Sequence, residues 1–214
     1  MGKIINVSGI VLSAMPIGEK DKRIVILTRE FGKIAVFARG AKRQGSALLA
    51  AAHPFVFGTF SLIQGKSSYH LTQASVKNYF MELTRKQPGI YYGFYFLEFA
   101  DYYGKEEIEG TEMLHLLYLS LKALLNPSLE DRLVRRIYEL RMMTINGEYA
   151  LDDKAMSPLA FYICQYIMGA PMKKLYTFTV TTQVLKELEN LMNRHIKKVL
   201  DRKIKSLSIL ESFL

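Results

Sequence analysis

Gly18 to Arg43 reads GEKDKRIVILTREFGKIAVFARGAKR, and this stretch decides the fold of the first part of the chain. Arg23 to Thr28 (RIVILT) is apolar and β-branched, as a strand requires. Arg29-Glu30-Phe31-Gly32 forms a turn in which Gly32 is free to take a positive φ. Lys33 to Ala38 (KIAVFA) is the returning strand, and Arg39-Gly40-Ala41-Lys42-Arg43 leaves the sheet carrying three cations. A hairpin between two cationic loops is a platform for a polyanion.

Working outward, Ile4 to Ala14, Phe55 to Gln64 and Tyr69 to Tyr79 are three more β-rich runs, the last two joined by the short loop Gly65-Lys66-Ser67-Ser68. Five short strands in this length fit a small closed barrel, which leaves no edge exposed. Ser46 to Ala52 (SALLAAA) reads as one or two helical turns plugging the barrel between its third and fourth strands, the arrangement of the OB-fold.

From about residue 81 the periodicity turns helical. Helices are expected from Pro88 to Tyr103, from Thr111 to Leu125, from a capping-box-like start at Ser128 to Ile145, and from Ser157-Pro158 to Met168. The clearest one carries Val184, Leu185, Leu188, Leu191, Met192, Ile196, Val199 and Leu200 on one face. The expected class is therefore α+β, with an OB-fold domain over residues 1–80 and a mostly helical domain over 81–214.

The chain has 214 residues, 50% of them hydrophobic, enough to bury a proper core. Its one cysteine, Cys164, excludes an intrachain disulfide and a cysteine-built zinc site, and suits a reducing cytoplasm. No apolar run is long enough for a transmembrane helix, and Ile4 to Ala14 alternates as a strand rather than as a signal sequence. The net charge of +9 is unevenly spread: residues 1–80 hold 11 Lys/Arg against 3 Asp/Glu, a balance of +8, and the remainder hold 18 against 17. Such asymmetry points to a polyanion-binding domain joined to a neutral one.

Catalytic constellations are missing from the sequence. His53, His70, His115 and His195 lack ligand spacing, Cys164 sits in an apolar helical context, and no phosphate-binding glycine loop or nucleophile elbow occurs. The expectation is a binding protein without cofactor or metal. Single strands are held by cations that track phosphates and by flat side chains that stack on bases. Lys20, Lys22, Arg23, Arg29, Lys33, Arg39, Lys42 and Arg43 are the candidate DNA-binding cations, and Phe31, Phe37, Phe57 and Tyr69 are aromatics within reach of the same sheet. In the helical part, Gly89 to Tyr103 carries eight aromatics on all sides, the mark of a helix buried on most faces. Arg132, Arg135, Arg136 and Arg141 follow as candidates to hold the carboxylate of a partner peptide.

These features together resemble the RecO family of bacterial recombination-repair proteins. The resemblance is carried by GIVLSAMPIGEKDKRIVILTREFGKIAVFARGAKR, SALLAAAHPF and YHLTQASV, by the Tyr138-Glu139-Leu140-Arg141 helix ending in Asn146-Gly147, and by the tail Lys205-Ser206-Leu207. It implies a mediator, not an enzyme, that binds single- and double-stranded DNA and anneals complementary strands. It further implies action with RecR to load the RecA recombinase on strands coated with single-strand-binding protein, whose acidic C-terminal tail is a partner, and a cytoplasmic, nucleoid-associated setting. Many members carry a four-cysteine zinc module after the Glu-Leu-Arg helix. Here Tyr149 to Met172 holds only Cys164, so a member lacking that module is expected. A metal-dependent nuclease, with Glu19, Asp21 and Glu30 as its only nearby acids, and an RNA-associated OB-fold protein are the alternative readings.

Overall fold

A computed structural model describes residues 2–66, 68–149 and 156–213. Five strands, β1 (Lys3–Ile17), β2 (Asp21–Thr28), β3 (Gly32–Ala38), β4 (Phe57–Gln64) and β5 (Tyr69–Asn78), close into a barrel in the order β1-β2-β3-β5-β4. Antiparallel pairing joins β1 to β2, β2 to β3 and β4 to β5, and β3 runs parallel to β5. Closure comes from β1, which is long enough to pair β4 through Lys3–Ile10 and β2 through Gly9–Ile17. A register shift between Val11 and Ser13 lets the strand bend from one partner to the other. The expected OB-fold is therefore present, and the fold is α+β.

Alternation sets the inside of the barrel. Ile24 and Ile26 of β2, Ile34 and Val36 of β3, and Phe60 and Leu62 of β4 form its core with Val7, Val11 and Leu71. Burying each such side chain is worth ~1.5–3 kcal/mol. The β2–β3 turn falls where the sequence places it. Thr28 is fully buried there, donating its hydroxyl to the Gly32 carbonyl at 2.8 Å and accepting the Phe31 amide at 3.0 Å. Gly32 has φ +63°.

The plug is not a helix. Residues 46–52 form successive turns, with Leu49 N–H donating to Ser46 C=O and Ala52 N–H to Leu48 C=O. Gly45 at φ +79° and Phe55 at φ +72° break the backbone on either side. The Ser46 hydroxyl also accepts the Leu48 amide, which favours a turn over a longer helix. Ala52 still packs into the barrel core, with Leu48 against it.

Two compact units emerge: Met1–Met81 with Leu97–Leu114, and Glu82–Phe96 with His115–Leu214. Among the described residues there are six α-helices: α1 (Gly89–Tyr103), α2 (Thr111–Leu124), α3 (Asp131–Ile145), α4 (Pro158–Gly169), α5 (Thr182–Val199) and α6 (Lys205–Glu211). In the barrel unit, residues 104–110 run along the β2–β3 turn. Lys33 N–H donates to Lys105 C=O, Glu107 N–H to Phe31 C=O and Gly110 N–H to Arg29 C=O, at 3.0, 3.1 and 3.0 Å.

In the other unit, α1 and α3 meet through the stacked rings of Phe96 and Tyr138, 4.3 Å between centroids, and through the Tyr138 hydroxyl donating to Phe96 C=O. Along α1, Tyr92, Tyr95 and Phe96 of this unit and Phe99 and Tyr103 of the barrel unit are buried as expected, while Phe94 is exposed. α3 begins at Asp131, not Ser128, because Asn126 captures the Ser128 amide in a turn and Glu130 makes no side-chain cap. Ser157 caps α4 as expected, accepting the Ala160 amide. α6 has no counterpart among the sequence-based expectations.

The core of that unit contains an ion cluster. Glu139 has no exposed surface, and Arg135 and Arg136, each 4% exposed, donate to its two oxygens at 2.7 and 2.8 Å. The Tyr95 hydroxyl donates to the same carboxylate at 2.6 Å. Burial alone raises the Glu139 pKa, but Arg135, Arg136 and the Tyr95 hydroxyl outweigh it and hold the carboxyl below its ordinary range.

This packing makes two predictions. In Gly32→Ala the new Cβ would lie 2.1 Å from the Lys105 carbonyl oxygen in a left-handed conformation; urea unfolding should show a loss of about 2 kcal/mol or more. Glu139→Gln strands two buried guanidinium groups and should cost about 3–5 kcal/mol. Because the folded carboxyl is held low, its contribution is complete above its unfolded pKa of about 4.3 and fades as pH falls through the lower folded value. Acid titration of stability should therefore show that component in the parent protein and lack it in Glu139→Gln.

Candidate nucleic-acid interface

The two cationic loops at the ends of the Gly18–Arg43 stretch are joined. Lys42 N–H donates to Lys20 C=O at 3.0 Å, and the Lys42 ammonium donates to Gly18 C=O at 3.2 Å. Asp21 accepts the Gly40 amide at 2.7 Å, and Lys22 sits opposite Ala38 in the β2–β3 ladder. Lys20, Lys22, Arg39, Lys42 and Arg43 therefore share one rim of the barrel, and most of them are exposed. Lys22 is partly tied down: its ammonium donates to Ala52 C=O at 2.9 Å and lies 3.1 Å from His53 Nε2. Burial first and the neighbouring Lys42 second hold that ammonium below the ordinary lysine value. Burial and then Lys22 lower the His53 imidazole in turn. Uncompensated positive charge is the electrostatic character of this rim.

Arg23 extends the rim onto the outer face of the sheet. It is exposed, directly opposite Met15 on β1 and Phe37 on β3, and Phe37 is opposite His70 on β5. Opposed residues in a ladder point to one face. Met15, Arg23, Phe37 and His70 thus form a row across four strands, with Met15 61% exposed and the Phe37 and His70 rings stacked at 5.7 Å. In OB-folds the face of strands 2 and 3, with the loops between strands 1–2 and 4–5, is where oligonucleotides lie. Here that face offers a cation beside an aromatic pair.

Arg29 and Lys33 stand apart from the five cations of the loop rim. They flank the β2–β3 turn, and the length of β2 puts roughly 20 Å between them and the rim. Lys33 donates to Asp101 C=O at 2.6 Å and pairs with the Asp101 carboxylate at 3.3 Å. Glu30 and the acids of residues 106–109 lie around the same turn, and Glu30 accepts the Ser8 amide at 3.0 Å. The charge of the turn end is therefore largely compensated. Of the aromatic candidates, Phe31 and Tyr69 pack against the barrel core, Phe57 is half-buried, and Phe37 faces outward. Sequence reading did not single out Met15 or His70 for this surface, because their place in the row depends on strand register.

The four arginines expected to await a peptide carboxylate are engaged within the chain. Arg135 and Arg136 belong to the buried Glu139 cluster. Arg132 grips Glu189 with two hydrogen bonds, at 2.9 and 2.6 Å. Arg141 donates to the carbonyls of Ile167 and Met168 at the end of α4. Cys164 is fully buried on α4, and burial pushes its thiol up to about 11. A single thiol does not make a four-thiolate zinc site, and among the described residues no group of three or more His, Cys, Asp or Glu is placed to hold a metal. Residues 150–155 of that stretch lie outside the described residues. Among the described residues no helix is long and apolar enough to cross a membrane.

Comparison with known proteins gives consistent matches. Residues 1–80 match the family described as Recombination protein O N terminal. The chain is similar to DNA repair protein RecO of Alkaliphilus metalliredigens, 33% identical over 144 residues, 67% of this chain and 58% of that protein. It therefore spans somewhat over half of the length of that relative. Against DNA repair protein RecO of Clostridium perfringens the match is 24% identical and nearly end to end, covering 97% and 98% of the two chains. The Halalkalibacterium halodurans protein of the same name is 28% identical, with 84% and 74% covered.

The row across the outer face makes a measurable prediction. Phe37→Ala should weaken binding of single-stranded DNA by the worth of about one stacked base, ~1–3 kcal/mol. Fluorescence anisotropy with a labelled oligonucleotide measures it, and circular dichroism showing the barrel intact serves as the control.

Proposed function

The chain belongs to the RecO family of DNA repair proteins, and from that premise we propose that it is a non-enzymatic DNA-binding mediator of recombinational repair. It binds single- and double-stranded DNA through the sugar–phosphate backbone. Lys20, Lys22, Arg39, Lys42 and Arg43 receive the phosphates, and Arg23 continues the track onto the sheet. One observation carries this reading: the backbone bond from Lys42 to Lys20 gathers two cationic loops on one rim. Neutralising the phosphates of two strands at that rim lowers their mutual repulsion, which is how such a surface promotes annealing without ATP.

The further partners belong to the same proposal. With RecR, the protein assists loading of RecA onto single strands coated with single-strand-binding protein, and the acidic tail of the latter docks on the helical unit. The internal engagement of Arg135 and Arg136 leaves that docking to other groups of the unit. The acids of the rim support a binding role over a hydrolytic one. Asp21 there accepts the Gly40 amide, so it serves as a loop tether.

Reversing charge at Arg39, Lys42 and Arg43 together should weaken single-strand binding about tenfold or more at moderate salt. It should also flatten the log–log salt dependence by ~0.7 for each phosphate the rim no longer neutralises. Unchanged affinity, with the barrel intact by circular dichroism, removes these residues from the site.

A further inference from the structure

Beside the Arg23–Phe37 row lies a cleft of about 390 Å³. Its floor is made by Val25 and Ala35, small outward residues one pleat repeat along β2 and β3 from Arg23 and Phe37, a step of ~6.6 Å. Its rim holds Arg23 and Lys33 on the strand side and Asp101 and Glu106 on the other. Both carboxylates are carried by well-fixed backbone: Asp101 is bound to Lys33, and Glu106 forms a ladder bridge with Gly32.

The charge balance of this cleft differs from that of the cationic loops. Two cations face two carboxylates, so a phosphate gains nothing there. What fits is a flat, neutral group of the cleft's size that lays an apolar face on Val25 and Ala35 and offers hydrogen-bond donors to a carboxylate. A nucleobase is such a group. Among the four bases, guanine presents two adjacent donors, N1–H and N2–H, which one carboxylate accepts side by side.

We propose that this cleft is a base-reading subsite that takes one guanine of a bound single strand. Glu106 accepts from its Watson–Crick edge, Arg23 holds the adjoining phosphate, and the neighbouring base stacks on Phe37. The inference rests on the nucleic-acid reading above and adds a base preference to it.

The test measures anisotropy-derived affinities for a thymine-only oligonucleotide about 15 nucleotides long. The same measurement is made for the same strand carrying isolated guanines, and for that strand with inosine, which lacks the N2 amino group, in their place. The guanine strand should bind roughly tenfold tighter than the thymine strand, with inosine between them. Glu106→Ala, which removes the acceptor, and Ala35→Leu, which fills the floor, should each bring the guanine-to-thymine ratio close to one. Equal affinities for all three strands overturn this subsite and leave the phosphate-binding rim standing. A guanine preference that survives both substitutions also overturns it. Absence of binding to every strand overturns the DNA-binding reading and the subsite together.

Discussion

Everything on the barrel surface depends on β1 serving two partners. The register shift between Val11 and Ser13 lets one strand close the sheet against β4 and then run on beside β2. Closure removes both edges, and it also fixes where the loops emerge. The β1–β2 loop reaches the end of β3 only because β2 leaves β1 in register down to Ile17–Asp21 and meets β3 at Lys22–Ala38. The cationic rim is thus a result of strand pairing, and the loop-to-loop hydrogen bonds tighten an approach the barrel has already made.

The same barrel handles charge in two ways. At the rim, cations outnumber acids, and Asp21 is occupied by the Gly40 amide. At the β2–β3 turn, residues 97–114 bring Asp101, Glu106, Glu107 and Glu109 against a hairpin whose own cations are Arg29 and Lys33. The separation between the cationic rim and the cleft of mixed charge rests on this contrast. In the helical unit the buried Glu139 cluster is a third arrangement, in which charge is locked inward and desolvation is met by two guanidinium groups and a phenol.

Much of the barrel is legible in the sequence because alternation and turn chemistry are local signals. RIVILT and KIAVFA place their apolar residues inward as written, and Gly32 takes the positive φ its turn demands. The features that sequence reasoning misses share a physical cause, in that most are decided by partners outside the local pattern. SALLAAA has helical propensity, but the glycine before it and the left-handed Phe55 after it hold it to turns. At Ser128 the neighbouring Asn126 side chain captures the amide before a helix can start. Arg135 and Arg136 look like an exposed basic face until Glu139 and Tyr95 are seen to bury them. Arg29 and Lys33 look like members of the rim because sequence proximity hides the length of a strand. His70 joins the candidate interface only through the parallel pairing of β3 with β5, which no periodicity reveals.

The split of charge between the loop rim and the turn gives the barrel unit an electrical axis. In the field of a polyanion such an axis experiences a torque, so the positive pole is turned forward before contact. The rotational search for an encounter is shortened accordingly, and fewer collisions are wasted on the compensated turn end. Because this alignment acts over about a Debye length, ~8 Å at physiological ionic strength, it governs the final approach and disappears first as salt is added.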